Sequence, residues 1–178
     1  MEEMKTSPNS WKTHLDLLLK QRTAQSNSFP KIAVIGIGNN LRSDDAAGTW
    51  VARALMQSRF IRDLEHVLVM DAGHAPENST ADLRRFAPEI VVFVDAAEMG
   101  EAPGTIRWIG MDEMDGMSAS THTMPLSMLA KYLTLELDCE VKLLGIQLLS
   151  NDVGESVNVE VMRAADVIVA GMIEAFSH

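Results

Sequence analysis

The sequence predicts a three-layer α/β/α sandwich in which a mostly parallel sheet of about five strands is flanked by helices. Continuous β-branched runs that end in glycine or aspartate alternate with amphipathic segments of helical period. This alternation is typical of a sheet that is covered by helices on both faces. The length of 178 residues and the content of 47% hydrophobic residues suit one domain with its own core.

Five segments have the character of strands. The first, KIAVIGIG from Lys31, is a buried run that stops in glycine, as an inner strand of a parallel sheet does. Four more strands are predicted at 66–73, 89–98, 104–110 and 141–147, and the strand at 104–110 is expected at an edge. The helices between them are predicted at 46–57, 79–87, 124–137 and 159–176. Ser79 or Thr80 is expected to cap the second of these helices.

Residues 1–30 have a different composition. Ser10 can cap a helix over 11–22, in which Trp11, Leu15 and Leu18 form an apolar stripe, and the polar segment 21–30 follows as a linker. We therefore predict an N-terminal helical extension with its linker at 1–30, which braces the main α/β domain at 31–178.

Charge and composition exclude several classes of protein. The net charge of −10, from 25 acidic and 15 basic residues, argues against a protein that follows nucleic-acid phosphates. No apolar run approaches the roughly 20 residues of a membrane span, and the N-terminus lacks the hydrophobic region of a secretory signal. The single cysteine, Cys139, indicates a reducing compartment. We expect a cytoplasmic monomer without membrane insertion.

Polar side chains gather where the predicted strands end. GIGNNLRSDDAAG, with Asp44 and Asp45, follows the first strand, Asp71 ends the second and Asp95 the third, and the loop before the 124–137 helix carries His122. Ligands of open α/β sheets bind at this edge. Oxygen and nitrogen ligands from separate loops would suit nickel or zinc, and three protein ligands leave positions open for water or substrate. Each aspartate could instead cap the helix that follows it.

A dinucleotide site is the rival interpretation of GIGNNL. That fingerprint needs a third glycine where Leu41 stands, and a helix start that is free to receive a pyrophosphate. Asp44 and Asp45 occupy this helix start and would repel a phosphate. The sequence therefore disfavours nucleotide binding.

Several motifs together resemble one family. GIGNNLRSDDAAG, MDAGHAPEN, VDAAEMG, THTMPLSML and LLGIQ occur in the order found in the hydrogenase maturation endopeptidases, over roughly residues 31–150. The chain is most similar to the branch in which the first signature ends in two aspartates. Members of this family remove a C-terminal extension from the large subunit of nickel-iron hydrogenases.

The resemblance implies a site and a partner. Residue by residue, it places a nickel-binding triad on Asp45, Asp95 and His122, which would be catalytic through the metal. The nickel would be carried by the precursor of the large subunit, and zinc or cadmium could replace it in crystals. Asp44 would be a supporting acid behind the triad, although a helix N-cap is its favoured role.

Two questions stay open at this point. The ion could polarise the scissile carbonyl or activate a water, or it could only dock the precursor while Asp44 or another carboxylate acts as general base. The alternative to an endopeptidase is a non-catalytic nickel-binding assembly factor or chaperone, which would hold the large subunit without cutting it.

Overall fold

The structure, a computed structural model, describes residues 10–114, 117 and 124–177. The strands are β1 Ile32–Ile37, β2 Val67–Gly73, β3 Ile90–Ala97, β4 Ile106–Ile109 and β5 Glu140–Gln147. The helices are α1 Ser10–Ser26, α2 Ala47–Gln57, α3 Arg59–Arg62, α4 Thr80–Phe86, α5 Leu126–Leu137 and α6 Val159–Ala175. The short helix α3 was not predicted from the sequence.

The strands form one sheet in the order β2-β1-β3-β5-β4. All neighbours are parallel except β4, which runs antiparallel to β5 at the edge, with Ile106 opposite Ile146. Every residue of β1 and β3 is buried, as expected for central strands that are covered on both faces. The predicted α/β fold with a mostly parallel five-stranded sheet is confirmed.

Helices cover both faces of the sheet. Alternate residues of β1 point to opposite sides, so that Ile32 and Val34 belong to one hydrophobic core and Ala33 and Ile35 to the other. Helices α1, α2, α3 and α6 contribute to the first core, whereas α4 and α5 contribute to the second. No helix in the described part of the chain is long and apolar enough to span a bilayer.

Helix α1 packs on α6 and on the edge strand β4. The side chain of Trp11 is 1% exposed, and it fills the space that Gly171 of α6 leaves, since a Cβ there would lie 2.5 Å from Trp11 Cη2. Trp108 Nε1 of β4 donates to the Trp11 carbonyl at 2.9 Å. Helix α1 therefore packs against the main α/β domain, whereas its bracing role and the boundary at residue 30 stay predictions.

Two local predictions are wrong. The segment 21–30 was expected to be a linker, but α1 continues to Ser26 and stops where Asn27 takes a left-handed conformation, with φ of 55°. Ser79 or Thr80 was expected to cap α4 through its side chain, but Ser79 makes no such bond. The reason is a 3-10 turn at Pro76–Ser79, which leads directly into α4 and puts Ser79 in the right-handed helical conformation instead of the extended one of a cap.

Candidate active site

The loop after β1 folds back sharply on itself. Gly38 has a φ of 146°, and a Cβ at this position would lie 1.8 Å from the Asp45 carbonyl oxygen, so only glycine fits. Backbone bonds from Asn39 N to Asp45 O at 3.2 Å and from Asp45 N to Arg42 O at 2.8 Å close the loop. The loop ends in a 3-10 turn, Ser43–Ala46, which contains both Asp44 and Asp45.

The start of α2 brings Asp45 to the end of β3. A Cβ on Gly48 would lie 2.1 Å from the Val94 carbonyl oxygen and 2.3 Å from that of Ile37, so the backbone of α2 touches β1 and β3 at their carboxyl ends. Asp45 precedes Gly48 by one turn of chain, and Asp95 directly follows Val94. Their side chains are buried, at 1% and 0% exposure. The structure thus brings two of the three predicted ligands to one edge of the sheet.

Asp95 belongs to the face of the sheet that α5 covers. It alternates along β3 with its neighbours and shares its face with Phe93 and Ala97, both of which lie in the α5-side core. Helix α5 begins at Leu126, four positions after His122 in the sequence. His122 itself lies outside the described residues, as do 115, 116, 118–121 and 123, so its placement stays a prediction.

The described residues include no group of three histidine, cysteine, aspartate or glutamate side chains that could hold a metal ion. The two buried carboxylates of Asp45 and Asp95 fit two places of a predicted set that needs His122 as the third. Carboxylate oxygens and an imidazole nitrogen are a donor set that a divalent ion such as nickel or zinc accepts.

Asp44 has a different role from the one that its sequence position favoured. Its carboxylate has no exposed surface and accepts three backbone N–H groups: Leu149 at 2.7 Å and Ser150 at 3.1 Å on Oδ2, and Asn158 at 2.6 Å on Oδ1. The N-cap interpretation is wrong, because the N-cap residue of α2 is Ala46, and no side chain caps the helix. Both oxygens of Asp44 are occupied by the protein, which argues against Asp44 as a general base.

The contacts of Asp44 belong to a larger junction between the loop after β1 and the segment 148–158 after β5. Ser43 Oγ donates to Ser156 O at 3.1 Å, and Gly154 N donates to Leu41 O at 3.1 Å. Arg42 forms an isolated antiparallel bridge with Val153. Segment 148–158 therefore packs against the loop that carries Asp44 and Asp45. The sequence did not predict this contact, because the segment has no recognisable motif beyond the helix-capping Asn158.

Asp71, the polar residue at the end of β2, stabilises a turn and an ion pair. Its Oδ1 accepts from Gly73 N at 3.1 Å, and its Oδ2 accepts from Arg53 Nε at 2.6 Å. The amide oxygen of Asn40, when it is turned toward Arg53, accepts from Arg53 Nη2 at 2.6 Å. The amide nitrogen of Asn40 then donates to Thr49 Oγ1 at 2.7 Å. This network links the loop after β1 to the end of β2 and places Asp71 outside the pair of buried carboxylates.

Comparison with known proteins identifies the family to which the chain belongs. A family model described as "HycI: Hydrogenase maturation protease" matches residues 50–176. The chain belongs to this family. It is 37% identical over 112 residues to the hydrogenase 3 maturation protease of Escherichia coli, which is 62% of this chain and 69% of the relative.

Solved structures of the hydrogenase maturation protease family have the same fold. The crystal structure of the HycI protease of Thermococcus kodakarensis matches with a TM-score of 0.75 and 29% identity, over 84% of this chain and 94% of the other. The solution structure of the endopeptidase HycI of Escherichia coli matches with a TM-score of 0.71 and 29% identity, over 83% and 92% of the two chains. The prediction of a hydrogenase maturation protease is therefore confirmed.

Proposed function

We propose that this protease removes the C-terminal extension from the large-subunit precursor of a nickel-iron hydrogenase, and that Asp45, Asp95 and His122 bind nickel that the precursor carries. The observation that supports this proposal most strongly is the pair of buried carboxylates of Asp45 and Asp95, which two separate segments bring to one edge of the sheet. In a member of the hydrogenase maturation protease family, a divalent cation on the precursor is the natural partner of such a pair.

The burial of the two acids itself favours a function at this place. A carboxylate that leaves water loses hydration, so a fully buried acid is uncommon unless it binds a partner. A cation that arrives with the substrate would be such a partner when the two proteins meet. With two carboxylates, one imidazole and no thiolate, the enzyme should hold a free divalent ion only modestly.

The fold holds the two acids in fixed positions. Asp45 is fixed through the backbone bonds of its amide and its carbonyl to Arg42 and Asn39. Asp95 lies on β3 between β1 and β5, with Gly145 as its neighbour in the sheet. Rigid support of this kind keeps binding groups in the geometry that a reaction needs. In this proposal, the two acids orient the precursor so that its scissile bond lies at the carboxyl edge of the sheet.

The proposal is tested by incubating purified protein with nickel-loaded precursor and measuring the mass of the large subunit. We expect Asp45→Asn and Asp95→Asn each to lower the rate by at least about 100-fold, since they remove a ligand of the ion. Asp71→Asn is the matched control, because Asp71 is an acid at the same edge that binds Arg53 instead, and it should keep most of the activity.

Two results would contradict the proposal. Normal cleavage by Asp95→Asn would remove the residue from the site. A wild-type protein that binds the nickel-loaded precursor without shortening it would be the assembly factor, the alternative function considered above.

A further inference from the structure

Gln147 is the last residue of β5 and the end of the LLGIQ motif, to which neither the sequence nor the proposed function gives a role. Its side chain is 3% exposed, although glutamine is a polar residue that is seldom fully buried. A buried amide of this kind is stable only when its donors and acceptor are bonded.

The amide of Gln147 uses both of its ends. Its Oε1 accepts from the backbone N–H groups of Met99 at 2.7 Å and Glu101 at 3.2 Å. Its Nε2 donates to Glu98 Oε1 at 3.1 Å and to the Leu148 carbonyl at 2.8 Å. Neither leucine nor glutamate could replace it without loss, because the position requires two acceptor contacts on one atom and two donor contacts on the other.

These bonds fix the loop that follows the strand of Asp95. Gln147 pairs with Ala97 at the end of β3, and the residues that its side chain bonds, Glu98, Met99 and Glu101, are the next residues of the chain. The Gln147 carbonyl also accepts from Gly104 N at 2.9 Å. One side chain and its backbone thus hold both ends of the turn between β3 and β4.

The same loop is bonded to the connection between β4 and α5 at Met117. The backbone N–H of Glu98 donates to the Met117 carbonyl at 2.7 Å, and Met117 belongs to the connection between β4 and α5, in which His122 follows five positions later. Glu98 therefore forms one hydrogen bond through its side chain and another through its backbone. Its side chain accepts from Gln147, and its backbone holds the connection at Met117.

We propose that Gln147 is a positioning residue of the protease: it bonds Glu98 and the loop that follows Asp95, and it thereby fixes the end of β3 and the contact of this loop with Met117 in the geometry that cleavage requires. This inference rests on the proposed function, because the effect of Gln147 is measured as the rate at which the nickel-loaded precursor is cleaved. Gln147 itself touches neither the substrate nor the ion in this account.

The test is an exchange of donor and acceptor between residues 147 and 98. Gln147→Glu places a carboxylate opposite the Glu98 carboxylate and should lower kcat/KM on the order of 10- to 100-fold. Glu98→Gln keeps an acceptor oxygen for Gln147 and should stay within about threefold. The double variant, Gln147→Glu with Glu98→Gln, restores a bond of reversed polarity and should recover at least about fivefold over Gln147→Glu.

Thermal unfolding and one control separate positioning from a general loss of structure. Gln57→Glu introduces the same charge change on an exposed glutamine of α2 and should leave kcat/KM unchanged. Should Gln147→Glu fail to fold, Glu98→Ala breaks the same contact from the exposed side, and it should lower kcat/KM about tenfold with an unchanged Tm.

The outcomes are distinct. Wild-type kcat/KM in Gln147→Glu, or in Glu98→Ala, would overturn the proposal, and so would a double variant no faster than Gln147→Glu. The proposed function fails separately, when the wild-type protein leaves the nickel-loaded precursor uncut.

Discussion

Asp44→Asn should destabilise the protein through one identifiable set of bonds. The wild-type carboxylate accepts three backbone N–H groups from residues more than 100 positions away in the sequence, at 2.6, 2.7 and 3.1 Å. An asparagine can keep its oxygen toward Leu149 and Ser150, but its NH2 group then faces the N–H of Asn158, so that two donors meet. One bond to a charged acceptor is lost, and two others become bonds to a neutral acceptor.

The size of the effect follows from these bonds. A hydrogen bond to a charged group contributes about 1.5–3 kcal/mol, and a neutral one about 0.5–1.5 kcal/mol. Losing one bond and weakening two should lower the free energy of unfolding by about 3.5–6 kcal/mol. For a chain of this size, the loss corresponds to a fall in Tm of at least about 7 °C. Cleavage by the folded fraction should decline only moderately, since both carboxylate oxygens of Asp44 bond backbone N–H groups of the protein itself.

Differential scanning calorimetry, with a digest of precursor by the same preparation, measures both effects. Asp152→Asn is the matched control, because Asp152 lies in the same segment but is exposed and accepts from Ser150 Oγ at 3.0 Å, and its change should stay below about 0.5 kcal/mol. A Tm of Asp44→Asn within one degree of wild type would refute the reasoning about these bonds. A stable but inactive Asp44→Asn would place Asp44 in the chemistry instead.

Three further predictions concern parts of the fold other than the candidate site. Deleting residues 1–28 should lower the Tm but spare the specific activity of the folded protein; a stable, inactive truncation would make this segment part of the substrate site. Burial alone would raise the pKa of Glu140, but hydrogen bonds from Lys142 and Arg22 outweigh it and hold that pKa below its usual value. The lowered pKa stabilises the fold above the unfolded pKa, and this contribution is lost as the pH falls through the folded pKa, so the Tm difference between wild type and Glu140→Gln should vanish on acidification. Burial raises the pKa of the Cys139 thiol, so a thiol reagent should modify it only on unfolding; rapid labelling of the native protein would contradict this.

Most of the fold could be predicted from the sequence, because the spacing of apolar residues depends directly on which residues are buried. Buried strands such as β1 and β3 are continuous β-branched runs, and the helices between them have apolar stripes, so the layers could be predicted without contacts. Positions at the ends of elements were less predictable. Ser79 is a common capping residue, but the 3-10 turn before α4 decides its conformation.

The site was predictable in part, for a related reason. Parallel strands end at one edge, so the placement of Asp45 and Asp95 there follows from topology. The role of Asp44 could not be predicted, because its partners, Leu149, Ser150 and Asn158, are more than 100 positions away in sequence. These partners bond through backbone N–H groups, which nearly every residue type has, so the sequence does not distinguish them. The bonds of Gln147 to the loop after β3 were hidden in the same way.

The source of the nickel is the central claim of this account, and crossed digests test it most directly. Enzyme stripped with a chelator is mixed with nickel-loaded precursor, enzyme saturated with nickel is mixed with apo-precursor, and the mass of the large subunit is followed in both. We expect the stripped enzyme to shorten nickel-loaded precursor, whereas the nickel-saturated enzyme should leave apo-precursor intact. Cleavage of apo-precursor by enzyme-bound nickel would contradict this claim and would make the protein an ordinary metalloprotease.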